Sequence, residues 1–297
     1  MKSKSNNLII CLTPFQMLIA KKIIELKPSE KFDLLVLSQQ DNDKYRYYFK
    51  MLSKFCNESF YYVLKGGLFG LIDFLNYSKS RLNNSYSGVY LASIDFSYCL
   101  YLISKLESPN IFTFDDGTAN ILTESIYYKG PSRTIKRKIA FKMLGIKYDM
   151  QELIDLSSEH YTVYKGIPNI VKKTKLIKLF DEDALANSNH SKTNSKNYIN
   201  IYLGQPLEEV SDEIVNNLTP EFFSKLDINY YYPHPREKNI PQGGFKVISS
   251  PLIFEDYILQ LLNSSPNTVF RIYSFISGSL LNIASLDRIE PNYIYNS

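Results

Sequence analysis

Residues 230–236 read Tyr-Tyr-Tyr-Pro-His-Pro-Arg, an aromatic run that stops at a proline. Tyrosine favours strands and proline cannot donate to a strand ladder, so the pattern predicts a strand that ends at Tyr232. Proline fixes its own φ and holds the residue before it extended. His234, between Pro233 and Pro235, is therefore expected to be held at the carboxyl end of a strand. In open α/β sheets that end is where ligands bind.

The side chains of His234 and Arg236 together suit a phosphate group. An imidazole is a donor whose charge depends on pH, and a guanidinium is a permanent, bidentate donor. The alternative is a loop histidine that only hydrogen-bonds a carbonyl group. The residues alone leave both interpretations open.

Two further strand ends lie in the same half of the chain. Tyr198–Leu203 is a predicted strand that ends at Gly204-Gln205-Pro206, and Thr268–Tyr273 is a predicted strand that leads into Ser277-Gly278-Ser279 and a helix. Small and hydroxyl residues at a helix start expose backbone N–H groups, which favours an anion site. An ordinary helix cap is the alternative. The G-x-x-x-x-G-K-[ST] phosphate loop is absent from the sequence, so no nucleoside triphosphatase is indicated.

The first half of the chain alternates strands with helices every 20–25 residues, which predicts a doubly wound parallel sheet. Thr13 and Pro14 are the expected N-cap and first residue of the first helix. We interpret the polar residues 188–196 as a linker, which predicts domains at 1–187 and 188–297. The predicted strands of the first half are Leu8–Leu12, Phe32–Leu37, Phe60–Val63, Gly88–Ala92 and Ile111–Phe114.

The pair Asp115-Asp116, followed by Gly117, comes directly after the last of these strands. Two adjacent carboxylates repel each other, and such repulsion can tune one of them as a general base. The alternative is a tight turn capped by aspartate in which Gly117 adopts a positive φ.

Composition limits the function classes. The 297 residues carry a net charge of +4 and a pI near 8.6, well short of a typical nucleic-acid-binding protein. Cys11, Cys56 and Cys99 are too far apart for a zinc site or a disulfide framework, and Cys11 and Cys99 are interpreted as reduced core thiols. The acidic stretches Asp41–Asp43 and Asp181–Asp183 are weak candidates for a metal site, since both lie in polar loops. We therefore expect no metal.

The apolar run Leu8–Leu12 is too short for a signal sequence or a membrane span, so we expect a cytoplasmic protein. Pro131–Leu144 is a basic amphipathic helix, with cations between Arg133 and Lys142. It is interpreted as a contact to an anionic membrane (the inner face of the plasma membrane) or to a lipid-linked acceptor; the alternative is a solvated helix face.

In chain order, six motifs together resemble glycosyltransferase family 52, the bacterial lipooligosaccharide and capsule sialyltransferases. The resemblance runs from Leu8 to about Leu281, and the Asp-Asp-Gly and His-Pro motifs on two separate domains are its most specific part. It implies an α/β fold of the GT-B type: two Rossmann-like domains with a cleft between them. The motifs are Leu12-Thr13-Pro14-Phe15-Gln16, Phe114-Asp115-Asp116-Gly117-Thr118, Tyr232-Pro233-His234-Pro235-Arg236, Ser250-Pro251, Glu255-Asp256-Tyr257 and Ser277-Gly278-Ser279.

The resemblance also implies an activity: inverting, metal-independent transfer of sialic acid from CMP-sialic acid to a galactoside. Asp116, or Asp115, would be the general base. His234 would meet the CMP phosphate as electrostatic stabiliser or general acid, with support from Arg236. The first domain would hold the acceptor and the second the CMP-sugar. The other implied donor-side residues are Gly204, Gln205, Pro235, Ser250, Pro251, Glu255 (on the ribose), Ser277, Gly278 and Ser279, and the implied acceptor-side residues are Thr13, Pro14, Gln16, Gly117 and Thr118.

Several alternatives remain at this point. Glu208 follows another predicted strand end and rivals Asp116 as the base. The donor could be a UDP-hexose, with glucose or galactose as the sugar, and a capsule-assembly scaffold without activity is a third hypothesis. The oligomeric state is open, with a homodimer among the alternatives.

Overall fold

Two α/β units, Met1–Leu179 and Phe180–Ser297, make up the chain in the computed structural model. The structure describes residues 6–107, 109–130, 135–180, 197–206, 212–275 and 277–294. The boundary predicted between residues 187 and 188 lies in the segment 181–196, outside the described residues.

The N-terminal unit contains a seven-stranded sheet in the order β3-β2-β1-β4-β5-β6-β7, and every neighbouring pair is parallel. All residues of β1 and β2 are buried, as expected where helices cover both faces of a parallel sheet. The strands are β1 Asn7–Cys11, β2 Phe32–Ser38, β3 Ser59–Val63, β4 Gly88–Leu91, β5 Asn110–Phe114, β6 Ser157–Thr162 and β7 Thr174–Leu176.

The helices of this unit follow the strands, and the four that connect β1 to β5 lie where the sequence predicts them. The first begins as expected, with the Thr13 hydroxyl accepting from the Gln16 N–H at 3.2 Å and Pro14 in the first turn. Cys11 and Cys99 are buried free thiols, as predicted. The helices are α1 Pro14–Glu25, α2 Asp43–Ser53, α3 Gly67–Arg81, α4 Ser97–Lys105, α5 Ile126–Lys129, α6 Ile135–Leu144 and α7 Met150–Leu156.

The sequence interpretation missed the end of this unit, from α7 to β7. Strand β6 has the sequence Ser-Ser-Glu-His-Tyr-Thr, which lacks the apolar run of the other central strands. Its pairing with β5, and not its own composition, makes it a strand.

The C-terminal unit contains a five-stranded parallel sheet in the order β10-β9-β8-β11-β12. Its core is aromatic: Tyr202 stacks on Tyr231 with ring centroids 5.4 Å apart and meets Phe223 edge-on at 5.2 Å. The elements are β8 Asn197–Leu203, α8 Asp212–Asn217, α9 Pro220–Lys225, β9 Tyr230–Tyr232, β10 Lys246–Val247, α10 Phe254–Ser264, β11 Thr268–Ser274, α11 Gly278–Ile283 and β12 Ile289–Tyr293.

Both sheets wind in the same way. The first strand of each unit is central, the next two strands extend the sheet to one side, and the following strands extend it to the other. The order reverses between β1 and β4 in the first sheet and between β8 and β11 in the second. Ligands of open α/β sheets bind at the carboxyl ends of strands beside such a reversal. Within the described part of the chain, no helix is long and apolar enough to cross a membrane.

Candidate active-site residues of the two units

The Asp116 carboxylate lies at the carboxyl edge of the N-terminal sheet, two residues beyond the end of β5. Three side chains donate hydrogen bonds to it: Gln16 Nε2 at 2.6 Å, Ser93 Oγ at 3.0 Å and the Tyr127 hydroxyl at 2.8 Å. Gln16 follows β1 and Ser93 follows β4, so the donors come from both sides of the point where the strand order reverses. The structure thus brings together two predicted residues, Gln16 and Asp116, and adds Ser93 and Tyr127, which sequence reasoning missed.

Gln16 is itself held in one orientation, because its whole side chain is buried and bonded. Its Oε1 accepts from the Leu12 N–H at 2.6 Å, and its Nε2 also donates to Ser93 Oγ at 3.0 Å. The amide assignment follows from these partners, since only the nitrogen can donate to a carboxylate. Gln16 therefore positions Asp116 and is not free to turn toward another ligand.

Tyr127 supplies the third donor from α5. Its hydroxyl lies 2.8 Å from Asp116 Oδ2 and 3.3 Å from Asp95 Oδ1. Burial, followed by the two carboxylates, raises the pKa of Tyr127 well above its usual range. The phenol therefore stays protonated and donates at any physiological pH.

The neighbouring carboxylate, Asp115, is fully buried, with 0% of its surface exposed. It accepts from His160 Nε2 at 2.9 Å, from the Val163 N–H at 2.7 Å and from Asn169 Nδ2 at 3.3 Å. His160 is also fully buried, and its Nδ1 lies 2.8 Å from Thr113 Oγ1. These contacts link β5 to β6 and the following loop, so Asp115 is engaged inside the unit while Asp116 is partly exposed.

The turn after Asp116 has the geometry that the sequence predicts for this type of loop. Gly117 has a φ of +58°, a conformation that favours glycine, and the Asn120 side chain accepts from the Asp116 N–H at 2.6 Å. Thr118 is partly exposed in the same turn. Of the predicted acceptor-side residues, Thr13 is the N-cap of α1 and Pro14 is its first residue, in the same turn as Gln16.

In the C-terminal unit, His234 is held by its immediate neighbours in sequence. Its N–H donates to Glu237 Oε2 at 3.0 Å, and its Nδ1 accepts from the Arg236 N–H at 3.1 Å. A neutral His234 therefore carries its ring hydrogen on Nε2. Pro235 and Arg236 form the turn after it, with Arg236 exposed and His234 partly exposed.

Glu237, which sequence reasoning missed, anchors this loop to the strands. The buried Tyr231 hydroxyl donates to Glu237 Oε1 at 2.5 Å, and burial followed by this bond raises the pKa of Tyr231. A Cβ at Gly204, at the end of β8, would lie 2.8 Å from the Tyr231 hydroxyl and would clash with Glu237. The close approach of these two side chains explains the glycine. Gln205 follows it and is buried, 3.4 Å from Ser274 Oγ at the end of β11.

Glu255, near the start of α10, is 3% exposed and accepts from Asn282 Nδ2 at 2.9 Å. Desolvation by burial raises its pKa, and hydrogen bonds from Asn282 and Ser279 oppose that rise. Two predicted donor-side residues, Glu255 and Ser279, are therefore in contact. Ser277 is the N-cap of α11, which starts at Gly278, and accepts from the Leu280 N–H at 3.2 Å.

The remaining predicted residues have local or undescribed positions. Ser250 Oγ accepts from the Leu252 N–H at 3.2 Å in the turn at Pro251. Glu208 lies in residues 207–211, outside the described residues. Asp181–Asp183 lie in residues 181–196, which are also outside the described residues. Asp41 is paired with Arg46, with Oδ1 to Nε at 2.5 Å, and this bond lowers the pKa of Asp41. Among the described residues, no cluster of three or more His, Cys, Asp or Glu side chains could hold a metal ion.

Comparison with known proteins identifies the family. The model of glycosyltransferase family 52 matches residues 29–295. The chain belongs to glycosyltransferase family 52. The family predicted from the six motifs is thereby confirmed, and the match extends over both units of this glycosyltransferase.

Two relatives of this family 52 glycosyltransferase match along nearly its whole length. One is the CMP-N-acetylneuraminate:beta-galactoside alpha-2,3-sialyltransferase of Pasteurella multocida (strain Pm70), 37% identical over 96% of this chain and 89% of the relative. The other is the N-acetyllactosaminide alpha-2,3-sialyltransferase of Neisseria meningitidis serogroup A / serotype 4A (strain DSM 15465 / Z2491), 30% identical over 96% of this chain and 77% of the relative.

A solved structure shares the fold of the family 52 chain. The crystal structure of TcCGT1 in complex with UDP has a TM-score of 0.50 and 10% sequence identity, and the match covers 95% of this chain and 79% of that one. With both sheets parallel and wound alike, the predicted GT-B class of two Rossmann-like domains is confirmed. At this identity the likeness concerns the fold alone.

Proposed function

We propose that this chain is an inverting sialyltransferase that moves sialic acid from CMP-sialic acid to a terminal β-galactoside and forms an α2,3 linkage. The observation that carries the proposal is the 37% identity to a CMP-N-acetylneuraminate:beta-galactoside alpha-2,3-sialyltransferase over 96% of the chain. The second relative, also an alpha-2,3-sialyltransferase, supports the same linkage.

The reaction requires two kinds of group from the protein: a base for the acceptor hydroxyl and hydrogen-bond donors for the phosphate. The acceptor hydroxyl oxygen forms a bond to the anomeric carbon of sialic acid, the bond from that carbon to the phosphate oxygen breaks, and CMP leaves. A base must take the proton of the hydroxyl from within about 3 Å. Donors must also stabilise the charge that grows on the phosphate, each worth about 3–4 kcal/mol. Inversion in one displacement needs no nucleophile from the enzyme.

Asp116 is our proposed base. A carboxylate offers about four lone-pair directions, and Gln16, Ser93 and Tyr127 occupy three of them. The fourth is available for an acceptor hydroxyl, and the three bonds fix where it points. In this proposal Asp115 is a positioning residue, because its carboxylate is engaged by His160 and the following loop. Glu208 remains the rival for the base.

The C-terminal unit is proposed to bind the CMP moiety. With Nδ1 of His234 accepting from the Arg236 N–H, Nε2 is the nitrogen that can donate to the phosphate, helped by the exposed Arg236 guanidinium. Ser277 and Ser279 would add hydroxyl donors, and Glu255 would accept from the ribose hydroxyls. Gly204, Gln205, Ser250 and Pro251 would line the same donor side.

We further propose that transfer proceeds without a metal ion and that the protein works in the cytoplasm. Donor-side cations and hydroxyls would stabilise the negative charge that grows on the phosphate, which is the role a metal ion would otherwise have. On α6, Ile139 and Met143 are 55% and 82% exposed and lie one turn apart, which supports peripheral contact of this helix with a membrane.

The test is a product analysis. The purified chain is incubated with CMP-sialic acid and lactose in excess chelator, and the product linkage is determined. We expect release of CMP and an α2,3-sialylated product at full rate. A product with another linkage would refute the α2,3 assignment, and activity that returns only with Mn²⁺ would refute the metal-independent mechanism. A thermal shift with UDP but not with CMP would instead favour a UDP-hexose donor.

A further inference from the structure

The N-terminal unit contains an open cavity of about 530 Å³ that none of the candidate active-site residues described above lines. This volume is within the usual range of small-molecule pockets, about 300–1,000 Å³. Its walls come from the segments after β2, β3 and β4, at the same edge of the sheet as Asp116. The lining side chains used below are Gln39, Leu64, Lys65, Leu71, Phe96 and Tyr98.

An aromatic stack leads from the core to this cavity. Phe74 is fully buried and packs on Tyr98 with centroids 5.1 Å apart, and Tyr98 stacks on Phe96 at 5.2 Å with an interplanar angle of 12°. The Tyr98 hydroxyl donates to the Lys65 carbonyl at 3.0 Å, which ties the β4 side of the cavity to the β3 side. Phe96 is thus a rigid aromatic surface supported from below, at a low entropic cost of binding.

Polar groups stand at the rim of the cavity. Gln39 is exposed, and Ser97 is partly exposed beside Phe96. The Lys65 ammonium is held 2.8 Å from Asp73 Oδ2, which also accepts from the Tyr62 hydroxyl at 2.8 Å. An apolar aromatic platform with amide, hydroxyl and ammonium groups around it suits a pyranose ring. One face of such a ring is made of C–H groups, and its hydroxyls need partners at the edge.

The cavity also adjoins the Asp116 cluster along the chain. Ser93 bonds Asp116, Asp95 lies 3.3 Å from the Tyr127 hydroxyl, and Phe96 is the next residue. Strands lie about 4.8 Å apart, so the ends of β2 and β3 are three and four strand spacings, about 14–19 Å, from the end of β5. Phe96 itself follows β4, the strand next to β5, so the cavity extends away from the Asp116 cluster, and a sugar stacked on Phe96 would lie next to the sugar that reacts.

We propose that this cavity is a subsite for the acceptor sugar on the reducing side of the galactose, with Phe96 as its stacking platform. The inference rests on the proposed function and deepens it. It states that the acceptor is an oligosaccharide and that the enzyme binds the sugar next to the terminal galactose as well as the galactose itself. The subsite sets acceptor preference, while the Asp116 cluster sets the reactivity of the hydroxyl.

A tryptophan reporter tests the subsite directly, because the chain contains no Trp. In Phe96→Trp the single indole stands in the cavity, and its emission is followed during titration with lactose and with methyl β-D-galactoside, which lacks the second sugar. We expect a saturable change with lactose only. The matched control is Phe55→Trp, since Phe55 is 44% exposed and does not line the cavity; neither sugar should change its emission. Equal responses of the Phe96→Trp variant to both sugars, or none, would overturn the proposal.

Kinetics give a second, independent readout. In Phe96→Ala the ratio of KM for lactose to KM for methyl β-D-galactoside should rise about tenfold over that of the wild-type protein, the loss expected for one stacking contact. An unchanged ratio would overturn the proposal. Failure of the proposed function looks different: the wild-type protein would then release no CMP from CMP-sialic acid with either acceptor. If Phe96→Ala does not fold, Phe96→Leu serves the same comparison.

Discussion

The Asp116 carboxylate of the N-terminal unit and the His234 imidazole of the C-terminal unit are held in opposite ways. The partners of Asp116 are Gln16, Ser93 and Tyr127, which lie 100, 23 and 11 residues away along the chain. The backbone N–H and the Nδ1 of His234 are bonded within its own loop, to Glu237 and Arg236, three and two residues away. The first group depends on the assembled sheet, and the second depends on one loop.

The difference has a physical consequence. The local Asn120 bond holds only the backbone N–H of Asp116, so its short side chain takes its direction from donors that come from several strand ends. A histidine between two prolines is already restricted by the backbone, and Glu237 ties its loop to the Tyr231 hydroxyl. We therefore expect changes around Asp116 to act on rate, and changes around His234 to act on both rate and nucleotide affinity.

Asp116→Asn should have the greatest effect, lowering kcat by about 10²–10⁴-fold while CMP affinity stays unchanged, because only proton transfer is lost. Steady-state kinetics and calorimetry measure the two quantities, and a thermal melt checks the fold. Asp95→Asn is the matched control: it removes the same charge beside Tyr127 and should cost far less. If Glu208→Gln abolished transfer and Asp116→Asn kept it within about tenfold, Glu208 would be the base.

His234→Ala should lower kcat by about 10²-fold and weaken CMP binding about tenfold, since a donor to the phosphate is missing in both states. His234→Asn separates loop geometry from chemistry. Its Oδ1 can still accept from the Arg236 N–H, so the turn should persist while the phosphate donor is lost. If both variants kept the rate and the CMP affinity of the wild-type protein, His234 would not contact the phosphate.

Glu237→Ala should destabilise the protein by about 1–3 kcal/mol, because the buried Tyr231 hydroxyl loses its partner. CMP affinity should fall less than in His234→Ala. Tyr231→Phe is the control for the strand contact, and the double variant Tyr231→Phe/Glu237→Ala should be less destabilised than the sum of the two single changes. Strict additivity in urea unfolding would show that Glu237 does not anchor the loop through Tyr231.

Glu255→Gln should have the smallest effect of these variants. It changes the stability of the protein, and the sign of that change depends on pH. The pKa of Glu255 is raised in the folded protein by burial, so the native state binds its proton more tightly than the unfolded state does. That contribution to stability is fully present below the unfolded pKa, about 4.3, and is lost as pH rises through the higher folded pKa. The melting temperature of Glu255→Gln relative to wild type should therefore rise from pH 4.5 to pH 7.5. A difference that is constant with pH would contradict the raised pKa, and an unchanged KM for CMP-sialic acid would remove Glu255 from the ribose site.

Local features of the sequence determined the central strands, the helix starts, the fold class and the family of this protein. The apolar runs of β1 and β2, the Thr13-Pro14 helix start and the strand that stops at Tyr232 follow from propensity, capping and the geometry of proline, all of which act over a few residues. The parallel α/β class follows from the alternation of these elements, and the six motifs give the family.

Contacts between distant residues could not be determined in this way. Nothing near Asp115 or Asp116 distinguishes them, yet His160 from the polar strand β6 engages the first, and Gln16, Ser93 and Tyr127 orient the second. The closeness of Gly204 to Glu237, and the stack of Phe74, Tyr98 and Phe96 beneath the cavity, likewise come from strand order. Only the folded sheets bring these residues together, because side chains that are remote in sequence meet where parallel strands end side by side.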